Sequence, residues 1–114
     1  MSWVIVTGAN GGIGEATVHQ LITNGYSVFA ADLAQQPIAS FATYGDAIFR
    51  YRAVDVTSEE SVTTLAEAVA ALDEPITGAV LAAGIAHSQP LLETSFDTWK
   101  RLHAVNSDGV FLCL

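Results

Sequence analysis

Residues 3–14, with the sequence WVIVTGANGGIG, decide the fold of this chain. The run Trp3–Thr7 is almost wholly apolar, as is typical of a strand that is buried on both faces of a sheet. The Gly-rich turn that follows leads into a segment whose apolar residues fall at helical spacing and which stops at Gly25, a residue that ends helices at little cost. The stretch therefore predicts a buried strand, a Gly-rich turn and a helix over residues 12–24.

Strand and helix patterns alternate along the rest of the chain. The second helix is the weakest of them, because residues 33–46 are poorly patterned and only Pro37 is well placed to open a short helix. The third helix is predicted to begin at the capping box Thr57–Glu60. The remaining strands are predicted at residues 27–32, 47–54 and 78–83, and the third helix carries Val62, Leu65, Ala66, Val69 and Leu72 on one face.

The last predicted helix starts at Thr94 or Ser95, since either hydroxyl can cap it. It runs into the apolar residues 110–114, where no Gly, Pro, Asn or polar tail marks its end. Its inward face is expected to carry Phe96, Trp99, Leu102 and Val105.

Strands that alternate with helices on short connections form a parallel sheet through right-handed crossovers. We therefore expect an α/β fold, specifically the N-terminal half of a Rossmann-type doubly wound domain with strand order 3-2-1-4. Ligands bind such sheets beyond the carboxyl ends of the strands, where the winding direction reverses. That point is expected between strands one and four.

The composition is that of one small globular unit. The chain has 114 residues, of which 51% are hydrophobic and 14% charged, so it is too apolar for a disordered segment and long enough for one core. Twelve acidic and four basic residues give a net charge of -8, and the basic residues form no patch, so we expect neither nucleic acid nor membrane as a partner. The single cysteine and the absence of a recognisable signal peptide or long apolar run favour a cytoplasmic protein.

The Gly-rich turn is the first candidate site. Glycines let backbone amides approach a pyrophosphate closely, and the positive end of the helix dipole stabilises its negative charge. A surface turn would use glycine too, but this turn lies between a predicted buried strand and a helix. No Lys-Ser or Lys-Thr follows it, which excludes the phosphate loop of nucleotide triphosphatases.

The pattern Thr7-Gly-x-x-x-Gly-Ile-Gly14 resembles the cofactor loop of the short-chain dehydrogenase/reductase family. Asp32, eighteen residues after Gly14, matches the family acid that hydrogen-bonds the adenosine ribose, the alternative being a solvated carboxylate at a strand end. This acid would repel the extra phosphate of NADP and Leu33 offers no basic substitute, so the resemblance implies NAD as the cofactor. The loop residues it assigns to the cofactor are Thr7, Gly8, Asn10, Gly11, Gly12, Ile13 and Gly14.

Two further segments resemble cofactor contacts of the family. Asp55 and Val56 match a pair that contacts adenine, although an Asp before Thr57 is equally an ordinary helix-entry residue. Residues 81–84 read Leu-Ala-Ala-Gly where the family usually has Asn-Asn-Ala-Gly, so two bracing amide side chains are replaced. Backbone contact to the cofactor is still expected there, from Ala82, Ala83 and Gly84.

Asn106 is the candidate catalytic residue. The segment 105–111 resembles a motif in the family's fourth helix, in which the Asn belongs to a catalytic tetrad and helps to hold a water and the active-site lysine. An Asn within an apolar helical face is costly unless it is hydrogen-bonded, so a helix kink that bonds a nearby carbonyl is the structural alternative. The family uses this residue for both purposes.

The rest of the tetrad has no match in this sequence. The family's base is a Tyr with a Lys four residues later, and neither Tyr26, Tyr44 nor Tyr51 is followed by that Lys. The resemblance covers residues 1–114 but less than half of a family member, and it stops in the fourth helix. We therefore expect the cofactor-binding portion of a larger domain, inactive alone; the competing hypothesis is a non-enzymatic NAD-binding scaffold that is complete at Leu114 and pairs with a second copy.

The expected partner of the intact protein is a small alcohol or carbonyl substrate. Strand four would present a flat apolar edge and residues 109–114 would lack a partner element, so self-association through this edge or the last helix is expected. His19, His87 and His103 are scattered, without carboxylate or cysteine at metal-ligand spacing, and no metal site is expected.

Overall fold

The computed structural model describes residues 2–114, which alternate strands with helices. The strands are β1 (Trp3–Thr7), β2 (Ser27–Asp32), β3 (Phe49–Ala53) and β4 (Ile76–Leu81). The helices are α1 (Gly12–Thr23), α2 (Glu59–Ala70), α3 (Phe96–His103) and α4 (Gly109–Cys113). A π-helical turn, Ala104–Asp108, joins α3 to α4, and short 3₁₀ turns cover Ala39–Phe41 and Leu91–Glu93.

The four strands are parallel and lie in the order β3-β2-β1-β4, which confirms the predicted fold and strand order. In the register, Val4 of β1 lies opposite Val28 of β2 on one side and opposite Gly78 of β4 on the other. The winding direction therefore reverses between β1 and β4, where a parallel sheet opens a crevice at its carboxyl edge.

The two central strands bury alternate residues on opposite faces of the sheet. On one face, Val6 and Ala30 pack in a cluster with Val18 of α1. On the other face, Phe29 packs in a second cluster with Leu65 of α2. Because both faces are covered, β1 and β2 read as continuous apolar runs without polar alternation.

The second helix predicted within residues 33–46 is wrong. Only the 3₁₀ turn Ala39–Phe41 forms there, and Pro37 lies before it rather than opening a helix. The backbone amide of Ile38 donates to Asn10 Oδ1 at 3.1 Å, a long-range bond that fixes the segment in a non-helical path. Phe41, 1% exposed, then anchors the turn in the core.

The boundaries of three other elements also differ from the prediction. The helix α2 is capped by Ser58, whose hydroxyl accepts from the Ser61 amide at 3.1 Å, and the predicted cap Thr57 instead donates to Asp55 Oδ1. β3 is shorter than residues 47–54, and β4 begins and ends two residues before the predicted 78–83. The residues that follow β4 therefore belong to a turn at the edge of the crevice.

The last helical segment departs most from its predicted packing. Ser95, one of the two predicted caps, accepts from the Thr98 amide at 3.1 Å. Phe96 and Trp99 do not point inward, since they are 72% and 52% exposed. Helical spacing shows which residues share a face, but burial also needs an element to cover that face. No helix within residues 2–114 is both long enough and apolar enough to cross a membrane.

Candidate functional site

A cleft of about 640 Å³ opens at the carboxyl edge of the sheet. It lies between the Gly-rich turn after β1, the ends of β2 and β3, the turn after β4 and one face of α3. Ten of the predicted site residues line it: Gly8, Asn10, Gly11, Asp32, Leu33, Asp55, Val56, Ala82, Ala83 and Gly84. The other predicted residues, Thr7, Gly12, Ile13, Gly14 and Asn106, lie beside or beneath it rather than in its lining.

Gly8 and Gly14 are glycines because the backbone leaves no room for a side chain. Gly8 has a φ of +67°, and a Cβ there would lie 2.6 Å from the backbone of Ala82 and Ala83. A Cβ on Gly14 would lie 1.9 Å from the carbonyl oxygen of Gly8. These two residues allow α1 and the turn after β4 to close tightly around the loop.

Gly12 lies in a more open environment. A Cβ at Gly12 would meet nothing within 4 Å, so no protein contact requires a glycine there. The neighbouring Ile13 is 78% exposed, and the amino end of α1 has Gly11 as its N-cap with no side-chain hydrogen bond. The amide donors at this positive end of the helix dipole are thus open to an anion, and space is left for one.

Thr7 supports the cleft from below. It is 1% exposed, and its Oγ1 accepts from the Ala83 amide at 3.3 Å while its carbonyl oxygen accepts from the Ala82 amide at 3.2 Å. Both bonds hold the turn after β4 against the end of β1. Residues 81–84 lack the Asn pair of the family pattern, and Thr7 braces them with one side-chain and one backbone acceptor.

Asp32 lies at the end of β2 with both carboxylate oxygens held by backbone amides. Oδ2 accepts from the Asn10 amide at 2.8 Å and Oδ1 accepts from the Leu33 amide at 2.7 Å. The side chain is therefore oriented before any ligand arrives, and each oxygen keeps a second lone pair for one. Leu33 is 69% exposed at the rim.

Asp55 has the helix-entry role that was one of its two predicted roles, and its contact with adenine stays a prediction. Its Oδ1 accepts from the Thr57 amide at 2.9 Å and from the Thr57 hydroxyl at 2.6 Å, which is the helix-entry arrangement. It also lines the cleft together with Val56. Val56 is buried against Gly109, where an added Cβ would lie 2.7 Å from Val56 Cγ2, so this close approach ties the cleft wall to α4.

Asn106 sits in the π-helical turn between α3 and α4, and its amide pairs with a single backbone unit. Oδ1 accepts from the Ile85 amide at 2.9 Å, and Nδ2 donates to the Ile85 carbonyl at 2.8 Å. This is the structural alternative foreseen for Asn106, and π turns often occur at functional sites. Asn106 borders a neighbouring cavity of about 340 Å³ that His87 and His103 also line.

Arg101 was missed by the sequence reasoning and is the cationic residue among those that line the cleft. It shares one face of the helical segment with Ala104 and Val105, which also line the cleft. The spacing i, i+3, i+4 is the signal that could have found this face. Arg101 forms no ion pair with a carboxylate of residues 2–114, although the cleft also contains Asp32 and Asp55.

The described residues hold no cluster suited to a metal ion: among residues 2–114, no three His, Cys, Asp or Glu side chains are placed to share one. The cleft offers groups that complement an anion and hydroxyl groups. It combines open amide donors, a fixed carboxylate acceptor, an apolar wall and one cation.

Known proteins of one family resemble this chain in both sequence and fold. A family model described as short chain dehydrogenase matches residues 2–114. A 2,5-dichloro-2,5-cyclohexadiene-1,4-diol dehydrogenase of Sphingobium indicum is 31% identical over 97% of this chain and 45% of its own length. An NADP-dependent (R)-specific alcohol dehydrogenase of Lentilactobacillus kefiri is 32% identical over 94% of this chain and 43% of its own length.

A solved structure of the same family shows the same fold. The crystal structure of a glucose/ribitol dehydrogenase of the short-chain type from Brucella melitensis superposes with a TM-score of 0.90 at 28% identity, covering 98% of this chain and 48% of that one. The chain thus spans about half the length of the relatives that it matches. By its sequence along residues 2–114 and by its fold, this chain belongs to the short-chain dehydrogenase family.

Proposed function

We propose that this chain forms the cofactor-binding part of an NAD-dependent oxidoreductase, which transfers a hydride between the nicotinamide and the carbon of an alcohol or carbonyl substrate. One observation carries the proposal: the uncapped amino end of α1 and the fixed carboxylate of Asp32 lie at the same edge of the sheet. The bound cofactor supplies the hydride acceptor or donor, and the residues of this chain hold and orient it.

The cleft has a partner for each part of the adenosine half of a dinucleotide. The open amides at the start of α1 suit the diphosphate, and the carboxylate of Asp32 suits the ribose hydroxyls. Asp55 and Val56 provide an acceptor and an apolar surface for adenine. Arg101 adds positive charge to an otherwise acidic cleft, which favours binding of an anionic diphosphate.

The preference for NAD over NADP rests on the charge around Asp32. A 2′-phosphate on the adenosine ribose would lie against this carboxylate, and residues 33–36 contain no Lys or Arg to balance it. Family membership alone does not decide the cofactor, since the Lentilactobacillus kefiri relative is NADP-dependent. The local charge therefore carries this part of the proposal.

We assign Asn106 to positioning within the catalytic centre, because it fixes the backbone of Ile85 next to the cleft. Proton transfer to or from the substrate oxygen needs a base, and these 114 residues contain no Tyr followed by Lys four residues later. We therefore expect residues 1–114 alone to bind the cofactor without turning over. Steady NADH production by this stretch with any simple alcohol would contradict that expectation.

The cofactor assignment is tested by titrating the protein, expressed from its complete reading frame, with NADH and NADPH and following the change in nicotinamide fluorescence. Wild type should bind NADH more tightly, and Asp32→Ala should weaken NADH binding while improving that of NADPH. Asp46→Ala, a change at an exposed carboxylate outside the cleft lining, is the matched control. Unchanged affinities in Asp32→Ala would contradict the assignment.

The remaining parts of the proposal concern partners and location. A small alcohol or carbonyl compound is the proposed substrate, and self-association through β4 or the segment α3–α4 is proposed because apolar residues are exposed there. Light scattering at tens of micromolar, on the order of common assay concentrations, should show a species larger than a monomer. A cytoplasmic location is proposed because Cys113, the single cysteine of these 114 residues, has no second cysteine among them with which to form a disulfide.

A further inference from the structure

We propose that Asn10 and Tyr51 form a clamp that locks residues 33–38 beside Asp32, and that this clamp helps to select NAD over NADP. The inference rests on the proposed function, which assigns the adenosine ribose to Asp32. It adds two positioning residues, which act through the place and orientation of Asp32, to the determinants of cofactor choice.

The first half of the clamp is the side chain of Asn10, which uses both ends of its amide on residues 33–38. Oδ1 accepts from the Ile38 amide at 3.1 Å, and Nδ2 donates to the Gln36 carbonyl at 3.3 Å. Nδ2 also donates to the hydroxyl of Tyr51 at 3.2 Å. A residue of the Gly-rich turn thus ties the end of β2 to β3.

The second half is the phenol of Tyr51, which donates to the Ala34 carbonyl at 2.6 Å. Burial raises the pKa of this phenol, and the negative charge of Asp32 raises it further, while the hydrogen bond from Asn10 acts in the opposite direction. The hydroxyl therefore stays protonated at neutral pH and keeps its donor role. It also lies close enough to Asp32 to respond to its charge.

The clamp and the acid are coupled through one residue. The backbone amide of Asn10 donates to Asp32 Oδ2 at 2.8 Å, while its side chain holds the residues that follow Asp32. Moving residues 33–38 away from the cleft would therefore break bonds to Asn10 and Tyr51. A ligand that fits the existing shape avoids this cost.

The two cofactors make different demands on this segment. A ribose diol needs acceptors at a fixed carboxylate, which the clamp keeps in place. A 2′-phosphate needs several donors, and in the locked geometry it would instead meet the carboxylate of Asp32, which accepts from the amides of Asn10 and Leu33. By keeping this carboxylate in place, the clamp maintains its repulsion of the phosphate.

The test uses the protein from its complete reading frame, with ADP-ribose and 2′-phospho-ADP-ribose as probes in isothermal titration calorimetry. Tyr51→Phe removes one hydroxyl from the clamp, and a lost hydrogen bond of about 1 kcal/mol corresponds to roughly fivefold in affinity. We expect ADP-ribose to bind roughly three- to tenfold more weakly, and the ratio between the two affinities to fall. Tyr44→Phe is the matched control, since Tyr44 also uses its hydroxyl, on His19, but does not line the cleft.

Asn10→Ala provides a second variant, because it removes both side-chain bonds to residues 33–38 and keeps the backbone amide that Asp32 accepts from. It should lower the affinity ratio as Tyr51→Phe does. A variant that is only partly folded would lose affinity for both probes equally, so the ratio separates selection from stability. If neither variant moves the ratio while wild type prefers ADP-ribose, the clamp is refuted and the proposed function stands; if wild type binds neither probe, the proposed function fails first.

Discussion

β2 and β4 are built from similar apolar residues but have opposite surroundings. The first five residues of β2 are buried, whereas none of the six residues of β4 is buried and Ile76 exposes 39% of its surface. β2 lies between two strands, while β4 pairs only with β1 within residues 2–114. We call β1, β2, β3, α1 and α2, with the segments that join them, the closed side of the molecule, and β4, α3 and α4, with the segments that join them, the open side.

The aromatic residues show the same contrast. On the closed side, Phe41 packs against Phe49 with ring centroids 5.0 Å apart. On the open side, Trp99 meets His103 of its own helix, and the ammonium of Lys100 lies 5.2 Å from the centroid of the Phe96 ring. Apolar composition thus predicts which residues can form a core, but the neighbouring elements decide which of them do.

The largest expected effect comes from adding a methyl group at one tightly packed glycine on each side. Gly14→Ala should destabilise the fold by about 4 kcal/mol or more, because the new methyl would overlap a backbone oxygen that cannot move aside. Gly109→Ala would also crowd a neighbour, since the new methyl would lie 2.7 Å from Cγ2 of the buried Val56, but it needs a smaller shift than at Gly14 and gains helix propensity, so its loss should be only about 1–2 kcal/mol. Urea unfolding measures both; equal losses would contradict the distinction between the two sides.

Truncating an aromatic residue on each side is the next test. Phe41→Ala should cost about 3–4 kcal/mol, because it leaves a cavity in a closed cluster. Trp99→Ala removes a larger side chain but should cost less than about 1 kcal/mol, because that ring is half exposed. The measurement is the unfolding midpoint in urea at a protein concentration low enough to keep association constant. A Trp99 loss as large as that of Phe41 would show that the open side is packed in solution.

The closed side is also the side that the sequence predicts best. β1 and β2 are covered on both faces, so their sequences are continuous apolar runs. These runs and the Gly-rich turn between β1 and α1 were sufficient to predict the strand order and the position of the crevice. The local pattern could not show that residues 33–46 form no α-helix. Residues 33–38 are held by hydrogen bonds from Asn10 and Tyr51, which are distant in sequence. A local pattern contains no sign of such bonds.

Sequence reasoning was less complete for the site. It found the residues whose chemistry is local to a strand end, such as Asp32, and it missed Arg101, whose approach to the cleft depends on how α3 is placed. The capping box predicted at Thr57–Glu60 failed for a similar reason, since the Thr57 hydroxyl donates to Asp55 and Ser58 caps α2 instead. Two adjacent hydroxyls look equivalent until their partners are known.

Arg101 tests whether the open side contributes to the cleft. Arg101→Gln should weaken NADH binding about fivefold, equivalent to ~1 kcal/mol, since an exposed cation is largely screened by solvent. The effect should shrink as salt is raised from 50 to 300 mM, values chosen to bracket a Debye length of roughly 10 Å. Lys100→Gln removes a neighbouring positive charge outside the cleft lining and should leave the affinity unchanged. Equal losses of NADH affinity in both variants would indicate that the overall positive charge of α3, rather than a contact from Arg101, favours binding.

The smallest expected effect compares two caps with the same chemistry. Ser58 on the closed side and Ser95 on the open side each accept from a backbone amide three residues later at 3.1 Å. Ser58→Ala should lower the global free energy of unfolding by about 1 kcal/mol, because α2 packs on the core and unfolds with it. Ser95→Ala should leave the global value almost unchanged and instead speed amide exchange in α3, since a helix with few buried contacts can open by itself. If hydrogen exchange showed both helices opening together, the two sides would unfold as one unit. They would then differ only in how much of their apolar surface is exposed.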